Sequence, residues 1–308
     1  MHAVPMTDSV IEVRDLRKEY GGAVAVDGIS FDIRRGETFA LLGPNGAGKS
    51  TTIEILEGYR HRTSGDLRVL GVDPQRGGLA WKARLGIVLQ STGEAGNFTV
   101  RELLTEFAGY YPHPRPVDEV IAAVGLEHKQ RSRAGKLSGG QQRRLDVALG
   151  IIGRPELLFL DEPTTGFDPE ARQQFWQLIR TLKSEGTSIL LTTHYLDEAA
   201  RLGDRAAVIT DGRIVAIGKI DEIGGPEART PMVRWRDAAG VRHEQRTNAP
   251  GAVVSELQQA GGEPDGLEVV RPTLEDIYLG LIREHGAASD PDPDPTSEGL
   301  RADVAESA

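Results

Sequence analysis

No cysteine occurs anywhere in the 308 residues, so disulfides and thiolate-held metals are excluded. Long hydrophobic runs are also missing. A stretch such as Val147 to Ile152 falls far short of the roughly 20 apolar residues a membrane helix needs. Met1 to Val10 contain no basic stretch followed by an apolar one, so no secretory leader is expected. A basic surplus is lacking as well. The net charge is −10, and residues 289–308 hold half of it, with six acids (Asp290, Asp292, Asp294, Glu298, Asp303 and Glu306) against Arg301. Nothing in this balance suggests a nucleic-acid footprint. What remains is ordinary for a soluble globular chain, with 39% hydrophobic and 27% charged residues. The length allows a large core and more than one domain.

The most informative stretch is Gly43-Pro44-Asn45-Gly46-Ala47-Gly48-Lys49-Ser50-Thr51, which fits the phosphate-loop pattern G-x-x-x-x-G-K-[ST]. Thr38 to Leu42 before it read as a buried strand, and Ser50 to Leu56 after it as a helix. Glycines let the backbone curl so that several N–H groups point at a phosphate chain. The helix N-terminus adds fixed positive potential. Lys49 is placed to reach terminal phosphates, and the Ser50 hydroxyl to hold Mg²⁺.

Around this loop the chain reads as follows. Val10 to Val13 and Ile29 to Ile33 alternate as strands, with Glu19-Tyr20-Gly21-Gly22 as a turn between them. Tyr20 fits a half-buried strand residue or a platform for a nucleotide base. Leu67 to Leu70 is a short strand after a Ser64-Gly65 turn. Leu85 to Leu89 is another, delivering Gln90 to its exit, where open α/β sheets place ligand-contacting groups. Thr99-x-x-Glu102 is a capping box opening a helix to Tyr110, and Val117, Val120, Ile121 and Val124 repeat the helical spacing. This helical insert ends at Leu137-Ser138-Gly139-Gly140-Gln141. There Ser138 is a natural N-cap, and the glycines leave a second helix N-terminus open to an anion.

Leu157 to Leu160 form a buried strand ending in Asp161-Glu162. The first acid suits Mg²⁺ and the second a general base toward water. Thr164 to Pro169 form a tight turn, and a helix follows from Glu170. Ser188 to Leu191 form a strand ending in Thr192-Thr193-His194, close enough to Asp161 for His194 to reach a γ-phosphate. Ala206 to Ile209 and Arg213 to Ile217 make a hairpin about Asp211-Gly212.

The loop at Gly43 to Ser50, Gln90, Leu137 to Gln141, Asp161-Glu162, Asp168 and His194 occur in one order. Together they resemble the nucleotide-binding domain of an ABC transporter over about two-thirds of the chain. The fold implied is α/β: a P-loop NTPase, RecA-like core with an antiparallel β subdomain, a helical subdomain from about Gly93 to Gly150, and a small C-terminal α+β domain. The implied cofactors are ATP and Mg²⁺. The resemblance assigns ATP binding to Tyr20, Gly43, Pro44, Asn45, Gly46, Ala47, Gly48, Lys49, Ser50 and Thr51, and to Ser138, Gly139, Gly140 and Gln141. It assigns the metal to Ser50, Gln90 and Asp161, and hydrolysis to Glu162, His194, Lys49 and Gln90. It implies a head-to-tail dimer in which each ATP lies between one copy's loop and the other's Ser-Gly-Gly, with no nucleic acid involved. Phe167 departs from the family's usual Leu.

Domain boundaries follow as residues 8–225 for the cassette, 226–286 for an accessory domain and 287–308 for an acidic tail. The tail has too few apolar residues for a core and is expected to be disordered. Arg271 to Tyr278 resemble the end of ATPase subunits of the drug-exporting ABC-2 group, including the daunorubicin-resistance type. That points to an exporter ATPase at the cytoplasmic face of the membrane, working with a separate ABC-2 type permease. An importer ATPase and a soluble non-transport ABC ATPase stay open as alternatives.

Overall fold

The computed structural model describes residues 8–88, 97–193, 195–237, 239–261 and 265–286. In chain order the elements begin with β1 (Ser9–Tyr20), β2 (Ala23–Arg34), β3 (Thr38–Leu42), α1 (Lys49–Leu56), β4 (Ser64–Val69), α2 (Leu79–Lys82) and β5 (Leu85–Val88). Next come α3 (Val100–Ala108), α4 (Val117–Ala123), α5 (Gly139–Ile151), β6 (Leu157–Asp161), α6 (Pro169–Ser184), β7 (Ser188–Thr192) and α7 (Leu196–Leu202). The last are β8 (Arg205–Thr210), β9 (Arg213–Lys219), α8 (Gly225–Ala228), β10 (Met232–Arg236), β11 (Arg242–Arg246), α9 (Pro250–Gly261), β12 (Asp265–Val270) and α10 (Leu274–Gly286).

The central sheet runs β5-β6-β7-β3-β8-β9, parallel except for β9. Its strands are apolar on both faces because both are covered. Side chains alternate across the sheet, so Ala40 and Leu42 pack with α3 to α7 on one side. Phe39 and Leu41 pack on the other side with α1 and a smaller antiparallel sheet, β2-β1-β4. Parallel strands end together, which brings the C-terminal ends of β3, β6 and β7 to one edge. The loop after β3, Asp161 and Thr192 all sit there.

Sequence and structure differ in several places. β1 and β2 are far longer than the apolar alternation indicates, because polar residues continue the ladder to Tyr20↔Ala23. Only Gly21-Gly22 turn. Ser64-Gly65 is not a turn: both belong to β4, with Ser64 opposite Arg17 and Gly65 at φ +95°. Such a φ suits glycine alone, and a Cβ there would lie 2.4 Å from the Asp15 carbonyl. The capping box at Thr99/Glu102 forms as expected, and Thr273 and Asp276 make the same reciprocal cap at the start of the last helix.

Near the C-terminus, β11-β10-β12 make an antiparallel sheet flanked by α9. α10 reaches the cassette. Its Leu274, Tyr278, Leu281 and Ile282 pack on the cassette core beside α7, β8 and β9. Ile277 is buried with its Cγ2 against Gly224. Among the described residues no helix is long and apolar enough to cross a membrane.

Candidate functional site

The turn from β3 into α1 is held by close backbone packing. A Cβ on Gly43 would lie 2.2 Å from the Ile209 carbonyl, and one on Gly48 (φ +101°) 2.4 Å from that of Ala25. Neither position admits a side chain. Gly46 (φ +82°) has open space where its Cβ would be. The β8–β9 hairpin braces the loop from below: the Gly212 N–H donates to the Ala47 carbonyl at 3.1 Å. Lys49 is buried, and its Nζ donates to the carbonyls of Gly43 (2.8 Å) and Pro44 (2.9 Å). Burial pulls its pKa down, against the opposing influence of Glu162 and Asp161.

A cavity of about 340 Å³ opens above the loop, lined by Asn45, Gly46, Gly48, Lys49, Ser50, Thr51, Asp161 and Glu162, with Ala25 at its edge. One Asp161 oxygen accepts from the Thr192 hydroxyl across to β7. Glu162 is non-glycine yet sits at φ +47°, a left-handed conformation that costs free energy and recurs at functional sites. Its N–H donates to the Thr192 carbonyl at 3.1 Å and lies 3.2 Å from the Thr192 hydroxyl. Arg143 of α5 reinforces this turn, donating to the backbone carbonyls of Asp161 and Pro163. Sequence reasoning missed Arg143, since a contact across 18 positions between a helix and a strand end leaves no local signal.

Ser138, Gly139, Gly140 and Gln141 do not line this cavity. They form a reciprocal cap on α5, with Ser138 Oγ accepting from the Gln141 N–H and the Gln141 side chain accepting from the Ser138 N–H. Ser138 and Gly139 are exposed, and space is open where Cβ atoms of Gly139 and Gly140 would lie. Tyr20 also stands outside the cavity lining, 39% exposed, with Lys18 Nζ 4.7 Å and Arg60 Cζ 5.4 Å from its ring centre. Pro44 and Gly43 contribute carbonyls to Lys49, and Ala47 is buried beneath the loop. Gln90 and His194 lie outside the described residues.

Asp168 caps α6, its carboxylate accepting from the Ala171 N–H at 2.7 Å, with Pro169 in the first helical position. The Asp-Pro pair is a helix-start signal that reading these residues only as a turn overlooks. Phe167 is buried, its ring edge-on to Phe175 at 5.9 Å. The enlarged side chain is thus absorbed into the core.

The donors around the cavity suit a hard cation. The Asp161 carboxylate and Ser50 hydroxyl are oxygen donors lining one space, of the kind a hard cation takes. No cluster of three or more acids or histidines occurs among the described residues. An ion held here would therefore need phosphate oxygens and water to fill its shell, as Mg²⁺ does beside nucleotides.

Comparison with known proteins agrees with this geometry. The family described as ABC transporter matches residues 26–165. The Nod factor export ATP-binding protein I of Burkholderia orbicola is 41% identical over 303 residues, covering 90% of this chain and 98% of that protein. A daunorubicin resistance ATP-binding protein of Streptomyces coeruleorubidus is 34% identical over 305 residues, covering 90% and 96%. The solved structure of an ATP-binding subunit of an ABC transporter superposes with a TM-score of 0.67 at 24% identity, covering 89% of this chain and 99% of that one. The chain belongs to the ATP-binding subunits of ABC transporters, P-loop ATPases whose hydrolysis of ATP powers transport.

Proposed function

We propose that this chain hydrolyses Mg²⁺-ATP as a head-to-tail dimer and drives export through a separate ABC-2 type membrane permease, at the cytoplasmic face. The observation that carries the reading is the split of the two phosphate-ready helix starts. Lys49, Ser50, Asp161 and Glu162 surround one cavity, while Ser138 to Gln141 stand outside it, with Ser138 and Gly139 exposed. Two such halves are complementary when a second copy is inverted against the first. Export is supported by what the relatives do: one is named for Nod factor export and another for daunorubicin resistance. A lipophilic, drug-like cargo fits the second.

In this reading the loop N–H groups and Lys49 bind the β- and γ-phosphates. To do so, Lys49 leaves the carbonyls of Gly43 and Pro44. Tyr20 stacks on the base. Asp161, Ser50 and Gln90 hold Mg²⁺, which supplies charge neutralisation on the transferring phosphoryl group. Glu162 accepts the proton of the attacking water, and its left-handed backbone fixes where that carboxylate stands. His194 attends the γ-phosphate. Ser138, Gly139 and Gly140, with Gln141 as their cap partner, close the site from the second copy.

Glu162→Gln tests the base. It should retain ATP binding, lower turnover on the order of 10²–10⁴-fold, and accumulate an ATP-bound dimer by size-exclusion chromatography. Turnover near that of the unaltered protein would sink the assignment.

A further inference from the structure

Glu162 is held through its backbone, and one side chain of another element grips that backbone on both sides of it. Arg143, the fifth residue of α5, is only 7% exposed. One edge of its guanidinium faces the turn after β6. Nε donates to the Pro163 carbonyl at 3.1 Å, and Nη2 donates to the Asp161 carbonyl. These two carbonyls belong to the residues before and after Glu162. An arginine presents its donors in a rigid planar fork, and here the fork spans the residue between them. Nη1 stands 3.9 Å from an Asp146 oxygen, one turn further along the same helix.

The peptide joining Asp161 to Glu162 is thereby gripped at both ends. Its carbonyl accepts from Arg143, and its N–H donates to the Thr192 carbonyl of β7 at 3.1 Å. Glu162 follows that peptide at φ +47°. A left-handed non-glycine residue persists where its surroundings over-determine it. α5 and β7 do so from two sides, and the direction of the Glu162 carboxylate depends on the backbone they hold.

α5 also carries the second phosphate-ready helix start. Ser138 and Gln141 cap it reciprocally, and the Gln142 N–H donates to the Ser138 carbonyl. Arg143 comes next in the chain. The helix start and the anchor of the guanidinium therefore lie within about one and a half turns of hydrogen-bonded helix and move together.

We infer that Arg143 is a positioning residue for ATP hydrolysis, through which the start of α5 sets the stance of Glu162. It does not line the cavity. When the start of α5 closes on the second copy's ATP, Arg143 carries the displacement to the turn that holds Glu162 in its own copy. Hydrolysis in one composite site then depends on nucleotide in the other. The inference rests on the reading of a head-to-tail dimer with Glu162 as base.

Arg143→Lys in the full chain, with the membrane subunit present, tests it. Lysine keeps the charge but offers one nitrogen in place of the fork. Turnover at saturating ATP should fall on the order of 10- to 100-fold, the cost of a small misplacement. The affinity and stoichiometry of a bound fluorescent ATP analogue should stay within about twofold, since the loop is untouched. The Hill coefficient for ATP should exceed one in the unaltered protein and fall to about one in the variant. A merely structural arginine would lower the bound stoichiometry instead and leave the Hill coefficient of the folded fraction alone. Arg143→Met, without any donor, should repeat the result, and it decides alone should the lysine variant not fold. Turnover within about twofold of the unaltered protein, or a Hill coefficient that the substitution does not change, would overturn the inference. Full turnover in Glu162→Gln, or no ATP-bound dimer of it, strikes the reading beneath the inference. With both of those as expected, an Arg143 variant that behaves like the unaltered protein strikes the inference alone.

Discussion

Glu57, at the end of α1, offers a stability test whose size follows from its surroundings. The side chain is 7% exposed, and among the described residues no hydrogen bond or ion pair reaches its carboxyl. Burial, then the negative charges of Asp161 and Glu54, push its pKa up from 4.5 to about 8. Between those two values the folded protein keeps the proton while the unfolded chain releases it. The native state then binds more protons than the unfolded one, so stability declines as pH rises through that window. The decline amounts to about 1.4 kcal/mol per pH unit. Glu57→Gln retains the shape and removes the ionisation. The variant should therefore be more stable than the unaltered protein, and the gain should be about 2.5 kcal/mol larger at pH 7.5 than at pH 5.5. Urea unfolding of the nucleotide-free protein at both pH values measures this. An equal gain at the two values, or a variant less stable at pH 7.5, would refute the assignment of Glu57 as a buried neutral acid.

Two further substitutions probe the packing that positions the site. Gly48→Ala forces a methyl group to within 2.4 Å of the Ala25 carbonyl at φ +101°. It should lower stability by at least ~2 kcal/mol and weaken ATP binding; unchanged melting and affinity would mean the loop is not held by β2. Ile277→Ala should cost about 2–4 kcal/mol, since the side chain is buried between α10 and the turn at Gly224. A melting temperature equal to that of the unaltered protein would show that α10 does not bind the cassette.

The elements legible in the sequence are those with short-range causes. β3, β6 and β7 are continuous apolar runs, and they lie where those runs lie because a sheet covered on both faces needs no polar alternation. The loop from Gly43 to Ser50 announces itself by glycine spacing. The N-cap at Ser138 is equally local. What stays hidden depends on distant partners. The lower halves of β1 and β2 are polar and are recruited only by pairing with each other. Arg143 becomes part of the site only because α5, packed against β5, brings it to the end of β6. Glu198 looks like any acid in the first turn of a helix until the fold buries it against Trp176. The packing of α10 on the cassette is likewise invisible in its own amphipathic pattern, which shows that an apolar face exists but not what covers it.

The central claim is that one ATP needs two chains, and mixing two inactive variants tests it. Lys49→Ala damages the loop but leaves Ser138 to Gln141 intact. Ser138→Arg does the reverse, placing a bulky side chain on an exposed helix start. In a heterodimer of the two, one composite site is doubly damaged and the other has both motifs whole. Phosphate release, measured against mixing ratio with the membrane subunit present and heterodimers verified by differential tags, should recover and peak near equal amounts. Activity that stays at the level of the separate variants while heterodimers form would contradict the account.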